Sequence, residues 1–156
     1  MIKVNNIASW VMPAEAFDWI YENIPEGSTI LELGSGFGSI ALGLNYTVYS
    51  LEQNEEWCGL SNMVNYIYAP IENGFYSKDM IADLPKYDLL IIDGPTKASG
   101  GRKGFIENLK YFNTECPILL DDLHREDEMF IIEKLSTILK RDFKVFESEN
   151  KKFGII

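Results

Sequence analysis

No stretch of this chain approaches the roughly 20 apolar residues that a membrane-spanning helix needs. No long apolar run follows a basic patch in Met1–Ile7 either, so a signal peptide is not expected, and the protein is expected to be cytoplasmic without membrane attachment. Cysteine is scarce. Cys58 and Cys116 stand far apart without metal-type spacing and are expected to be reduced thiols. Positive charge is also short: 14 Lys plus Arg face 24 Asp plus Glu, a formal charge of −10. Gripping a nucleic-acid backbone requires a positive footprint, and no basic run exceeds two residues, as in Lys140-Arg141 and Lys151-Lys152. Nucleic acid is therefore disfavoured as a partner, and a neutral or small polar molecule fits better. Repeats, low-complexity tracts and linkers are missing as well. What is present is 156 residues with 46% hydrophobic content, expected to form a single domain over 1–156.

Along the chain, strand, turn and helix recur. Phe17, Ile20, Tyr21 and Ile24 predict a helix over 13–24 with Pro13 in its first turn. Thr29 to Leu33 reads as a strand, and Ser39 to Leu44 as a short helix. A strand over 46–51 carries Glu52 at its end. Trp57, Leu60 and Val64 predict a helix from Glu55 to Tyr66, before a third strand over 65–70. Trp19 and Trp57 are expected in the core, whereas Trp10 precedes the first helix in a segment suited to lining a pocket. The run from Tyr87 to Ile92 is nearly continuous in apolar residues, as in a strand covered on both faces. A loop with Lys97, Arg102 and three glycines leads to a helix over 105–112. A fifth strand, 117–120, precedes a helix over 127–139, and 143–148 with 152–156 predict a closing hairpin.

Between the first strand and its helix lie Gly34, Ser35, Gly36 and Gly38. A strand that breaks into glycines and re-emerges as a helix brings backbone N–H groups close to a ligand. The dinucleotide pattern G-x-G-x-x-G would put its third glycine at position 39, which is Ser39. Here the third is Gly38, and Glu32 stands two positions before the first. This E-x-G-x-G-x-G form resembles motif I of the class I methyltransferases that use S-adenosylmethionine (SAM). The resemblance implies that the loop and Glu32 orient the cofactor. Glu52, 18 positions beyond Gly34, stands where both dinucleotide and SAM enzymes carry an acid for the ribose hydroxyls. The element order then implies a Rossmann-like α/β fold: a mostly parallel seven-stranded sheet with an antiparallel last strand and helices on both faces. Ligands in such sheets bind beyond the carboxyl ends of the strands.

Asp93-Gly94-Pro95 ends the fourth strand and Asp121-Asp122 the fifth. Methyltransferases acting on amino groups carry Asp/Asn-Pro-Pro-aromatic at the former position. Thr96 leaves no aromatic here, which turns the expectation toward an oxygen acceptor. Asp93, Asp121 and Asp122 together offer hard oxygen ligands, suited to Mg²⁺ or another divalent cation; alternatively one of the pair caps the next helix. The arrangement resembles the metal-dependent catechol-type O-methyltransferases, with Asp122 in place of their Asn. Lys97 lies near their catalytic lysine, offset by one position. Asp93, Arg102, Asp122, Arg125 and Glu128 also resemble the motifs of the glucuronoxylan 4-O-methyltransferase group. Asp121 and His124 stand where that group has His and Asp. That likeness implies a sugar acceptor and suits Arg102 to a carboxylate or hydroxyl. His124, the single histidine, could serve as base, ligand or helix start.

The resulting expectation is a SAM-dependent O-methyltransferase for a small-molecule or glycan acceptor. Asp93, His124, Lys97 and Arg102 are the candidate catalytic residues. Glu32, Gly34, Ser35, Gly36, Gly38, Glu52 and Asp93 are the candidates for holding SAM. Short loops leave the acceptor pocket to the chain itself or to a second subunit, as in a homodimer. The alternatives are a nucleic-acid or protein methyltransferase and a SAM-binding subunit without activity of its own.

Overall fold

The computed structural model describes residues 11–156, so Trp10 lies outside the described residues. In chain order the elements are α1 (Ala14–Asn23), β1 (Thr29–Leu33), α2 (Phe37–Leu42), β2 (Thr47–Glu52), β3 (Val64–Tyr68), β4 (Ile71–Glu72), β5 (Phe75–Tyr76), α3 (Lys78–Ile81), β6 (Leu89–Ile92), α4 (Gly104–Glu107), β7 (Ile118–Leu120), α5 (Glu126–Leu139), β8 (Lys144–Glu147) and β9 (Lys152–Ile155). Seven strands form one sheet in the order β3-β2-β1-β6-β7-β9-β8. β1, β2, β3, β6 and β7 run parallel, and β9 is antiparallel to both its neighbours. This is the expected Rossmann-like sheet with its last strand reversed.

Side chains along a strand point alternately to opposite faces, and here each face has its own core. Ile30, Val48, Leu89 and Ile91 join Ala16 and Ile20 of α1 and Leu42 of α2. Leu31, Leu33, Leu90 and Ile92 join Phe105 of α4 and Ile131, Ile132 and Leu135 of α5. Burial on both faces explains why β1 and β6 read as apolar runs rather than alternating ones.

Two local expectations need correction, and one element is additional. Glu55 to Tyr66 is not a helix: a 3₁₀ turn over Glu55–Trp57 stops at Cys58, and Gly59 takes φ +87°. The chain then pairs as β3 with β2, Val64 beside Val48, so the helical spacing of Trp57, Leu60 and Val64 yields to strand pairing. The helix over 105–112 splits into α4 and a 3₁₀ turn, Leu109–Tyr111. A small β4–β5 hairpin was not expected at all, although Asn73 and Gly74, both with positive φ (53° and 82°), are a strong two-residue turn signal.

The ends of β1 and β6 approach closely enough to dictate their sequence. Gly34 has φ +90°, and a Cβ there would lie 3.0 Å from the Gly94 backbone. A Cβ on Gly94 would come within 2.8 Å of Gly34 Cα and 2.6 Å of the Tyr76 hydroxyl. Two facing glycines thus let the glycine loop and the Asp93 turn share one floor. Among the described residues, no helix is long and apolar enough to cross a membrane.

Candidate active site

A cavity of about 1340 Å³ opens over the carboxyl ends of β1, β2, β6 and β7. Its volume exceeds the roughly 300–1,000 Å³ of ordinary small-molecule pockets, leaving room for two ligands side by side. One half is walled by Gly34, Ser35, Gly36, Glu52, Phe37 and Trp57. The other half is walled by Asp93, Arg102, Asp122, Arg125, Lys97 and Lys151.

In the first half Glu52 holds the glycine loop in place. Its Oε2 accepts from the Ser35 amide and the Ser35 hydroxyl, both at 2.9 Å, and its Oε1 accepts from the Asn54 amide at 2.7 Å. A carboxylate has about four acceptor positions, so a further hydroxyl can still be received. Gly36 is extended, at φ −175°, and a Cβ there would meet nothing within 4 Å. The missing side chain at 36 keeps the cavity open. Gly38 serves packing instead: a Cβ there would lie 3.1 Å from the Phe17 ring of α1. Trp57 meets Phe37 edge-on, with ring centroids 6.1 Å apart, and both face the cavity.

Glu32 lies behind the loop, buried. The Ser39 and Ser50 hydroxyls donate to its Oε2, and Ser39 Oγ accepts from the Gly36 amide at 2.9 Å. Glu32 therefore sets the loop through Ser39 and does not reach the cavity. Burial outweighs the two serine hydrogen bonds and pushes its carboxyl up from 4.5 to about 7. A carboxyl raised on folding contributes stability at low pH that is lost as pH rises, here across about 4.5 to 7. Glu32→Gln keeps the acceptor and removes the charge. Relative to wild type, the variant is expected to gain roughly 3 kcal/mol in denaturant unfolding between pH 4.5 and 8. An equal pH dependence in both proteins would contradict the assignment.

In the second half, ligand atoms of Asp93, Asp121 and Asp122 gather within 4.8 Å of one another, as the strand ends led one to expect. Arg102 sits among them, only 5% exposed. Its Nη2 donates to Asp93 O at 2.9 Å, Asp93 Oδ1 at 3.0 Å and Asp122 Oδ2 at 2.8 Å, while Nη1 donates to Asp121 O at 2.8 Å. Arg102 is thus a buried tie between the ends of β6 and β7. Arg125 Nη1 adds a 3.1 Å ion pair to Asp122 Oδ2, and Lys151 Nζ lies 3.4 Å from Asp121 Oδ2 and 3.5 Å from Asp122 Oδ1. Lys151 Nζ also donates to Val11 O at 3.0 Å.

These surroundings split the three acids. Burial pushes Asp93 well above the usual carboxylate range, with Arg102 opposing and Asp121 and Asp122 reinforcing the rise. Burial and then the Asp122 charge raise Asp121. Burial also acts upward on Asp122, but Arg102, Lys151 and Arg125 overcome it and hold its carboxyl below the usual value. Asp122 also takes φ +63°, a conformation rarely used outside glycine. Asp93 and Asp122 both line the cavity, and Asp93 is the more exposed of the two, its side chain 22% exposed against 5%. Its Oδ2 accepts no hydrogen bond from the described residues.

No family model matches the sequence, and no curated protein matches it. Solved structures do. A methyltransferase from Pyrococcus furiosus superposes with TM-score 0.59 at 17% identity, over 90% of this chain and 79% of that one. The fold is that of the class I methyltransferases. A putative RNA methyltransferase from Pyrococcus horikoshii matches at TM-score 0.57 and 17% identity, over 91% and 80% of the two chains. Magnesium protoporphyrin IX methyltransferase from Synechocystis, whose structure holds SAM, matches at 0.55 and 15%, over 99% and 80%. The narrower resemblances, to catechol-type and glucuronoxylan enzymes, rest on sequence motifs alone.

Within this methyltransferase fold, the candidates divide by position. Gly34, Ser35, Gly36, Glu52, Asp93, Lys97 and Arg102 line the cavity, with Lys97 exposed at its mouth. Glu32 and Gly38 support it from behind. His124 is exposed and does not line it. Trp57 borders the cavity rather than the core, and Trp19 packs against the α1 side of the sheet. Sequence reasoning missed Asn54, Phe37 and Lys151. Asn54 follows Glu52 by two positions and was within reach of the motif. Lys151 had no sequence signal: only the closing hairpin brings it 30 positions back to Asp121.

Proposed function

We propose that this chain is a SAM-dependent methyltransferase acting on a hydroxyl of a small acceptor, with a sugar unit as the first candidate. The observation that carries this reading is the continuous cavity over the strand ends. It joins a glycine loop and ribose-type acid at one end to a partly exposed, raised-pKa carboxyl at the other. The residues fit SAM: Gly36 leaves an open cradle, Glu52 has acceptor capacity to spare, and Trp57 and Tyr68 offer aromatic surface for an adenine.

When bound, SAM supplies a methyl group already activated on a sulfonium. The chain's own residues then have three tasks. The loop and Glu52 fix one reactant, and Thr96, Ser99, Arg125 and Lys151 bound the space for the other, so that alignment contributes several kcal/mol. Asp93 Oδ2 receives the hydroxyl proton as the new O–C bond forms and the C–S bond breaks. Arg102 holds Asp93 Oδ1, which keeps the free oxygen aimed into the cavity. No metal step enters, because Arg102 occupies the space between Asp93 and Asp122.

The overall charge of −10 speaks against a nucleic-acid acceptor. The test is transfer of labelled methyl from SAM to a panel of sugars and oligosaccharides, with RNA and a protein mixture beside it. Label in a sugar hydroxyl supports the reading, whereas label in RNA or protein, or in nothing, contradicts it. Glu52→Gln is expected to raise the SAM dissociation constant about 10- to 100-fold in calorimetry, since hydrogen bonds to a charged acceptor are worth about 1.5–3 kcal/mol. An unchanged constant would remove Glu52 from cofactor binding.

A further inference from the structure

A cluster of carboxylates at adjacent strand ends invites a divalent cation, and these residues as they stand do not fit one. An ion held by Asp93 and Asp122 would need their oxygens at about 2.0–2.6 Å, with the ion between them. That space holds Arg102 Nη2, which is 3.0 Å from Asp93 Oδ1 and 2.8 Å from Asp122 Oδ2. We propose that Arg102 is the built-in occupant of this seat, and that the fold acquires a divalent-cation site there only when the guanidinium is removed.

Three observations support it. The guanidinium already satisfies two backbone carbonyls as well as two carboxylates from a planar fork. Its loop is also fixed from beneath. A Cβ at Gly100 would lie 2.6 Å from Gly74 O, and one at Gly104 would lie 2.7 Å from Phe75 Cβ, so the loop sits directly on the β4–β5 hairpin. Finally, the acids outnumber the remaining cations. Asp93, Asp121, Asp122 and Glu128 are met by Arg102, Arg125 and Lys151, and without Arg102 two cations would face four carboxylates. Asp121 Oδ1 is already buried without a hydrogen-bond donor among the described residues, and Asp122 Oδ1 has only the Lys151 ammonium at 3.5 Å. A divalent ion would give these oxygens a partner and relieve the repulsion. Arg102 is thus a positioning residue that does the electrostatic work a metal would otherwise do.

The inference does not depend on methyl transfer, and Mn²⁺ binding tests it without any acceptor. Electron paramagnetic resonance counts bound Mn²⁺, and thermal unfolding is followed with and without about 1 mM Mn²⁺. Wild type is expected to bind none and to melt at the same temperature in both conditions. Arg102→Ala is expected to melt lower, to bind one ion, and to recover by roughly 5–10 °C when Mn²⁺ is added. Arg102→Lys, which keeps a cation in the seat, should bind none. Adding Asp122→Asn to Arg102→Ala should abolish the response. Tight Mn²⁺ binding by wild type that Asp122→Asn removes would overturn the proposal. So would an Arg102→Ala protein, folded or not, on which Mn²⁺ has no effect, or an Arg102→Lys protein that binds like the alanine variant.

Discussion

Asp93→Asn is expected to lower kcat for methyl transfer by about 10²- to 10⁴-fold, the usual contribution of a positioned general base, while SAM affinity changes little. Asparagine retains the oxygen that accepts from Arg102, so the tie between β6 and β7 survives. In the proposed role of Asp93, the proton acceptor alone is lost. The pH dependence makes the assignment specific. Burial raises the Asp93 carboxyl well above its usual range, and only the ionised form can take a proton. Wild-type kcat should therefore rise with pH through that raised value and fall away below it. The Asn variant should show no such rise across the same window. A variant that keeps more than about a tenth of the rate, or keeps the same pH profile, would place the base elsewhere.

The largest expected effect on stability is at Gly34. Alanine there must adopt φ +90°, where a Cβ costs roughly 1–2 kcal/mol, and must also press on the Gly94 backbone at 3.0 Å. Overpacking of that kind adds about 1–3 kcal/mol. Gly34→Ala is expected to lose about 2–5 kcal/mol in denaturant unfolding. Gly36→Ala, with extended backbone and open space around it, should lose less than about 1 kcal/mol. The two glycines are two residues apart, yet only one carries the floor of the site. Similar losses at both would mean that the loop tolerates or rejects side chains for some other reason.

Much of this architecture was legible because two of the central parallel strands announce themselves twice. β1 and β6 are largely apolar runs, and each ends in residues that break a strand, Gly34 in one case and Asp93-Gly94 in the other. Glu52 was legible by its distance from the glycine loop. What the sequence hid depends on contacts between distant segments. Arg102 sits in a glycine-rich loop and read as a catalytic or acceptor-binding residue. Its burial follows from packing of Gly100 and Gly104 onto a hairpin some 30 residues earlier. The charge balance at Asp121 and Asp122 likewise depends on Lys151, delivered by the antiparallel pairing of β9. Three aspartates at two strand ends therefore suggested a metal, since nothing nearby in sequence revealed which cation fills their midst. Glu55 to Tyr66 misled for a related reason: its apolar spacing suits a helix, and pairing with β2 overrides it.

The central claim is that the cavity over Gly34 to Gly36 binds SAM, and calorimetric titration of SAM into wild type and Gly36→Val tests it most directly. Valine adopts the extended backbone at 36 without strain, so the fold should persist by circular dichroism while the side chain fills the cradle. The account predicts saturable binding of one SAM per chain to wild type, none to Gly36→Val, and none of NAD to either. SAM binding that Gly36→Val leaves unchanged, or a wild-type protein that binds NAD instead of SAM, would contradict it.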